Sequence, residues 1–283
     1  MEAKFGAAGN SDSFYAEGHK ASEDMPKWLK DRGLDAYEYQ CGNGVRCGEA
    51  TARKIAAKAK ENQIALSVHS PYYINLATED DEKRLGGINY ILQSSQLVKY
   101  FEGERVVVHC GALCKLTREQ ALEYAKKTLT LARAAMVENG LENVRLCIET
   151  MGKINQLGDL NEVMELCALD ESFLPCIDFG HLNARTLGAF KEKKDFEIIF
   201  DSIENKLGKD RLNCFHSHFS KIEYTKGGEK KHLTFDDTVY GPEFEPVAQI
   251  LAERGIAPTI ICESSGTQAE DALIMKKIYQ AKL

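Results

Sequence analysis

The chain contains seven histidines, at positions 19, 69, 109, 181, 216, 218 and 232. Four of them (His69, His109, His216 and His218) sit at or near the end of a short apolar run. Two further runs end in Glu149 and Glu263, another ends in Asp178, and His181 follows Asp178 by three residues. Imidazoles and carboxylates gathered in one place, with no paired cysteines among them, suit Zn²⁺, Mn²⁺ or Fe²⁺. Carboxylates packed closely would repel one another unless cations lay between them. Cations held there would act as Lewis acids and lower the pKa of bound water. Other chemistries lack their signatures: the sequence has no GxGxxG, no GxxxxGK[ST] and no GxSxG. Cys110 is adjacent to His109 in a strand-like run, so the two should face opposite sides and make a poor nucleophile–base pair.

These residues are far apart in the chain, and something must bring them together. Apolar runs recur at 4–8, 36–40, 65–69, 105–109, 145–149, 175–178, 213–218 and 259–263. Most are rich in Val, Ile and Cys, as expected of strands buried on both faces of a parallel sheet. Helix-like stretches lie between them, at 49–61, 82–100, 118–139, 160–167, 195–207, 244–254 and 268–281. Thr117 is placed to cap the third of these, and Gly140 and Gly255 are placed to stop helices. The alternation predicts a single-domain (β/α)₈ TIM barrel over 1–283, with an open doubly wound sheet as the alternative. In a parallel barrel all strand C-termini open on one face, so the polar residues of the third to eighth strands would converge there.

Composition sets the outer limits. Of 283 residues, 36 are Lys or Arg and 43 are Asp or Glu, giving a net charge of −7. With 43% hydrophobic residues, the chain can bury a core and is not disordered. The acidic balance argues against broad polyanion binding, although a local basic rim and bound cations would be compatible with it. Nine cysteines with no CxxC pair read as reduced core thiols of a cytoplasmic protein. No apolar run approaches a membrane span, so no membrane partner is expected.

Ordered segments across residues 4–270 resemble the endonuclease IV group of apurinic/apyrimidinic endonucleases, within the xylose-isomerase-like barrels. They are SVHSPYYINL (67–76), VVHCGA (107–112), CIETMGKINQLGDL (147–160), CIDFGHLNA (176–184), FHSHFSK (215–221), GEKKH (228–232) and CESSG (262–266). The resemblance implies hydrolysis of the phosphodiester 5′ to abasic sites in damaged DNA by two or three Zn²⁺ ions. It implies His69, His109 and Glu149 at the first ion. It implies Glu149, Asp178, His216 and Glu263 at the second, with Glu149 bridging, and His181 and His232 at the third. Glu149 and Glu263 would be the catalytic carboxylates that orient the attacking water, and a monomer is expected.

The chain departs from the family pattern in places. Lys230, Lys231 and His232 occupy the family's Asp-Arg-His stretch, so the third-site carboxylate is missing from its place, and Glu229 could reach the ion after a loop shift. His218 stands where the family has Asn and is a further ligand candidate. His216 and His218 share strand parity, and His216 is favoured because Ser220 and Lys221 then match a family Ser-Lys pair. Tyr72 matches a residue that wedges into the duplex, whereas Arg46 is a loose counterpart of a second one. Lys230 and Lys231 are candidate phosphate contacts, and the stretch 191–194 reads as a solvated charged face. A sugar or polyol isomerase or epimerase on the same barrel is the alternative. There Glu149 and Glu263 would act as bases, with one ion held by Asp178 and His216. A metal-binding barrel without turnover is a third possibility.

Overall fold

The computed structural model describes residues 2–283. Eight strands form a closed parallel barrel: β1 (Lys4–Ala8), β2 (Ala36–Gln40), β3 (Ala65–His69), β4 (Arg105–His109), β5 (Arg145–Glu149), β6 (Leu174–Asp178), β7 (His216–Phe219) and β10 (Thr259–Cys262). Each pairs with its sequence neighbours in the ring, and β10 closes against β1. This is the (β/α)₈ TIM barrel predicted from the alternation of runs. β8 (Ile222–Thr225) and β9 (Gly228–His232) form an antiparallel hairpin outside the barrel sheet.

Strand parity separates two environments. Phe5, Tyr37, Val68, Val106, Ile148, Ile177, Phe219 and Ile260 belong to the large core between the strands and the helices. Residues of the opposite parity form two small clusters inside the barrel. One is Ala8, Ala36 and Ile261, and the other is Val107, Cys147, Leu174 and Cys176. His69, His109, Glu149, Asp178 and His218 share this inward parity and lie at the C-terminal ends of their strands.

The helix signals hold locally. Thr117 caps the helix Arg118–Glu138 in a capping box with Gln120, and Gly255 ends Glu245–Arg254 in the left-handed conformation. The run at 213–218 is corrected. Asn213 and Cys214 end a short helix, Lys209–Cys214, and the strand begins at His216. Arg105 fixes that junction by donating to the Cys214 and Phe215 carbonyls at 2.9 and 3.5 Å.

All nine cysteines are free, and Cys41, Cys110, Cys147, Cys167, Cys176 and Cys262 are buried. Burial pushes the Cys110 thiol well above its usual value, as befits a core residue and not a nucleophile. Among the described residues, no helix is long and apolar enough to cross a membrane.

Candidate metal centre

The strand ends deliver a ring of side chains around Glu149, which is fully buried. One of its oxygens, Oε2, lies 3.0 Å from His109 Nε2 and 3.3 Å from His69 Nε2. The other, Oε1, lies 3.3 Å from His218 Nδ1 and 3.3 Å from His181 Nδ1. Donor atoms of His69, His109 and Glu149 approach one another closely enough to share an ion. So do those of Glu149, Asp178, His218 and Glu263, and those of His181, Glu229 and His232. Glu149 is common to the first two groups, and His181 links it to the third.

Asp178 shows how local structure serves the ring. Its Oδ1 caps the helix Phe179–Arg185 by accepting from the His181 backbone N–H at 2.7 Å. Its Oδ2 is buried without a hydrogen-bond partner and faces His181 Nδ1 at 3.3 Å. The capping role and the candidate ligand role thus fall on different oxygens of one carboxylate.

The third group depends on the hairpin. Register along β8 and β9 shifts between Glu223 and Tyr224, so Ile222 pairs with His232, Glu223 with Lys231 and Tyr224 with Glu229. Glu229 and His232 are three residues apart and would face opposite sides of a regular strand. The bulge at Lys230 puts both on one face. Gly152 lets the hairpin close over the loop after β5, because a Cβ there would lie 2.6 Å from Glu229 Cβ and 2.9 Å from His181 Cδ2.

The electrostatics call for cations. Burial works against a charge on Glu149, but His109 and His218 outweigh it and hold its carboxyl well below the usual range. Asp178 goes the opposite way, raised by burial and by the neighbouring Glu263 and Glu149. Burial opposes a charge on His69 too, yet its hydrogen bond to Glu149 prevails, and its pKa is pushed up to about 9.

The tautomers sharpen the point. A carbonyl oxygen only accepts, so His69 Nδ1 donates to Ser70 O at 2.7 Å and His181 Nδ1 donates to Thr150 O at 2.9 Å. In the neutral rings, the remaining Nε2 lone pairs then face carboxylates, Glu149 for His69 and Glu229 at 3.5 Å for His181. With the rings charged these contacts are hydrogen bonds, as the raised His69 pKa reflects; with the rings neutral, a cation takes the proton's place between lone pair and carboxylate. The donor set and the unpartnered Asp178 oxygen therefore fit bound divalent metal.

Nearly all the residues expected here are brought together: His69, His109, Glu149, Asp178, His181, His232, Glu263 and the less favoured pair His218 and Glu229. His216 is the correction. It pairs with Cys176 on β6, whereas His218 pairs with Asp178, so His216 lies one inward layer deeper. Its Nε2 contacts Glu38 at 2.8 Å instead of the ring. Glu38 itself went unrecognised in the sequence. A carboxylate at the centre of the AYEYQ run, with inward parity, is the signal that would have exposed it.

Above the ring lies a cleft of about 340 Å³ lined by Gln40, Tyr72, Lys153, Gln156 and the ligand candidates. Tyr72 stands at its mouth, 53% exposed, and donates to Asn43 Oδ1 at 2.9 Å. Lys230 and Lys231 do not line the cleft; they pair with Glu223 at 2.6 and 3.4 Å. Lys153 is the lysine that does line it, and sequence reasoning did not single it out. Arg46 is exposed, and Lys193 and Lys194 pair with surface glutamates, as a solvated face should.

A family profile described as xylose isomerase-like TIM barrel matches residues 26–278. The chain belongs to this family. An uncharacterised protein of Methanocaldococcus jannaschii is 33% identical over 88% of each chain. A probable endonuclease 4 of Mycoplasma genitalium is 30% identical, covering 73% of this chain and 69% of that one. Endonuclease IV of Thermus thermophilus superposes with a TM-score of 0.67 at 17% identity, over 99% of this chain and 98% of that one. A D-tagatose 3-epimerase-like protein gives a TM-score of 0.74 at 18% identity, over 99% and 96%. At these identities the structural likeness speaks to the fold alone, and it spans an endonuclease IV and a D-tagatose 3-epimerase-like protein.

Proposed function

We propose that this protein is a metal-dependent phosphodiesterase of endonuclease IV type, cutting damaged DNA on the 5′ side of abasic sites with two or three bound cations, Zn²⁺ first among them. The observation that carries the reading is the sharing of Glu149 between two donor groups, with a third group, His181–Glu229–His232, beside them. Three linked groups exceed what isomerisation of a sugar needs and match what displacement at phosphorus uses. The relatives named endonuclease 4 support the same reading.

Cations held there would supply Lewis acidity to the phosphate and a water acidic enough to attack at neutral pH. The chain's own residues do the rest. His69 and His109 fix one side of Glu149 while His218 and Glu263 face it from the other. Glu149 and Glu263 can accept hydrogen bonds from water and so aim it at phosphorus. Lys153 offers the cleft a positive charge for a backbone phosphate. Tyr72 presents an exposed ring to a base or an abasic gap.

One observation favours a second reading. The group Glu149–Asp178–His218–Glu263 is sufficient for a single ion flanked by two carboxylate bases, as a sugar epimerase would require. Purified protein supplied with Zn²⁺ or Mn²⁺ should nick an abasic duplex and leave an undamaged one intact. A folded protein that cuts neither under both metals, holds one ion per chain and epimerises a ketose would reverse the choice.

A further inference from the structure

Below the ring, β2, β3 and β7 bring Glu38, Ser67, His216 and His218 together, all buried. Glu38 Oε2 is 2.8 Å from His216 Nε2 and 2.8 Å from Ser67 Oγ. Glu38 Oε1 is 2.8 Å from His218 Nε2. An ionised carboxylate only accepts, so all three partners donate. Two fixed donors on Oε2 hold the plane of the carboxylate, and on Oε1 His218 at 2.8 Å is the closer donor, with a longer bond from Gln40 Nε2 at 3.4 Å.

We infer that Glu38 is a positioning residue that presents His218 to the metal centre. By taking the proton of Nε2, it leaves the neutral ring's lone pair on Nδ1, and Nδ1 is the atom that faces Glu149 Oε1 at 3.3 Å and Glu263 Oε2 at 3.5 Å. His216 is the counterweight. Its ring anchors the far oxygen of Glu38 and packs edge-on against His218, while its own Nδ1 is buried without a hydrogen-bond partner and reaches none of the carboxylates of the centre. The two histidines of HSH, alike in sequence, thus divide into a ligand and a strut. An apolar side chain at position 38 would fill the same space in the barrel interior but could not choose the tautomer. The inference rests on the reading of the ring as a cation centre, because a lone pair aimed at two carboxylates has a purpose only there.

The test compares wild type with Glu38→Leu, Glu38→Gln and Ser67→Ala, reading Zn²⁺ stoichiometry and affinity by chelator competition and the histidine ¹⁵N spectrum. Glu38→Leu should weaken one cation site by roughly 10- to 100-fold. Glu38→Gln, whose carbonyl still accepts from His218, should lose less, and Ser67→Ala, which leaves His216 on Oε2, should lose least. In zinc-loaded wild type, His218 should carry its proton on Nε2. Should Glu38→Leu fail to fold, Glu38→Gln and the ¹⁵N spectrum decide. Unchanged affinity in the Glu38 variants, or a His218 proton on Nδ1, overturns the role of Glu38 alone. Wild type that takes up no cation overturns the centre itself, and the role with it.

Discussion

Glu149 has more ring partners than any other side chain of the centre, with four imidazoles within 3.3 Å of its two oxygens. Replacing it by Gln removes the shared charge, and cleavage of an abasic duplex should fall by at least about 100-fold, with fewer ions bound. His218 and His216 offer a sharper contrast. His218→Asn should lose an ion of the central pair and most activity. His216→Asn leaves the ring's donors in place and should retain the ion count, at some cost in affinity through Glu38. Elemental analysis beside a nicking assay separates the two, and equal losses from both would contradict the depth assigned by the pairing with β6. These residues were legible to different degrees. His69, His109, Glu149, Asp178 and Glu263 stand at or just past strand ends, and one short run each reveals them. His216 and His218 share parity, and only the register against Cys176 and Asp178 tells which is at the rim. Glu38 lies in mid-strand between tyrosines, away from the strand end, and only its inward parity marks it.

Two elements shape the mouth beyond the strand ends. The hairpin was not foreseen, because GEKKH shows candidate ligands and phosphate-binding lysines but no strand alternation, and a bulge has no reliable sequence mark. Glu229→Gln keeps the hairpin and its bulge but removes the charge that faces His181 Nε2 at 3.5 Å. The protein should stay folded and bind one ion fewer, whereas an unchanged count would mean that Glu229 is no ligand. The second element is the loop after β5, which carries Lys153 and Gln156. Arg118 donates to the Ile154 and Gln156 carbonyls, both at 3.1 Å, and Arg185 donates to Met151, Lys153 and Gln156. Glu162 grips Arg118 through two bonds of 2.7 Å and accepts from the Gly158 and Asp159 amides. Burial opposes the charge on Glu162, but Arg118 and those amides prevail and hold its carboxyl below the ordinary value. A lowered carboxyl stabilises the fold above the unfolded-state pKa, about 4.3, and stops doing so as pH falls through the folded value. Glu162→Gln should therefore cost about 1–3 kcal/mol at pH 7 by urea unfolding. The gap from wild type should narrow below roughly pH 4.3 as the wild-type carboxyl takes up its proton.

At the scale of the molecule, the barrel was the most legible feature. Short apolar runs alternating with amphipathic helices specify it, and strand bounds such as 4–8, 36–40, 65–69, 105–109 and 145–149 coincide with the observed ones. The run at 213–218 misled because its apolar residues, Cys214 and Phe215, belong to a helix end and the junction after it, and strand identity rests on pairing partners that composition does not reveal. A centre holding several inward carboxylates should also couple loading to stability. Chelation should lower the melting temperature and added Zn²⁺ should restore it, by about 2.7 kcal/mol for each site at a hundred times its dissociation constant. A melting curve indifferent to chelator would count against bound metal.

The two oxygens of Asp178 give this coupling a local address. One ties down the start of the helix that carries His181, and the other is free to meet an ion. Drift in evolution or in the laboratory cannot easily trade one duty against the other here. A neutral substitute such as Asn keeps the cap while weakening the hold on a cation, and an apolar one lets the helix start fray, displacing a second candidate ligand, His181, along with the first. Position 178 is thus a place where the chemistry cannot be erased quietly, and a descendant barrel that has given up its ions should betray that loss there first.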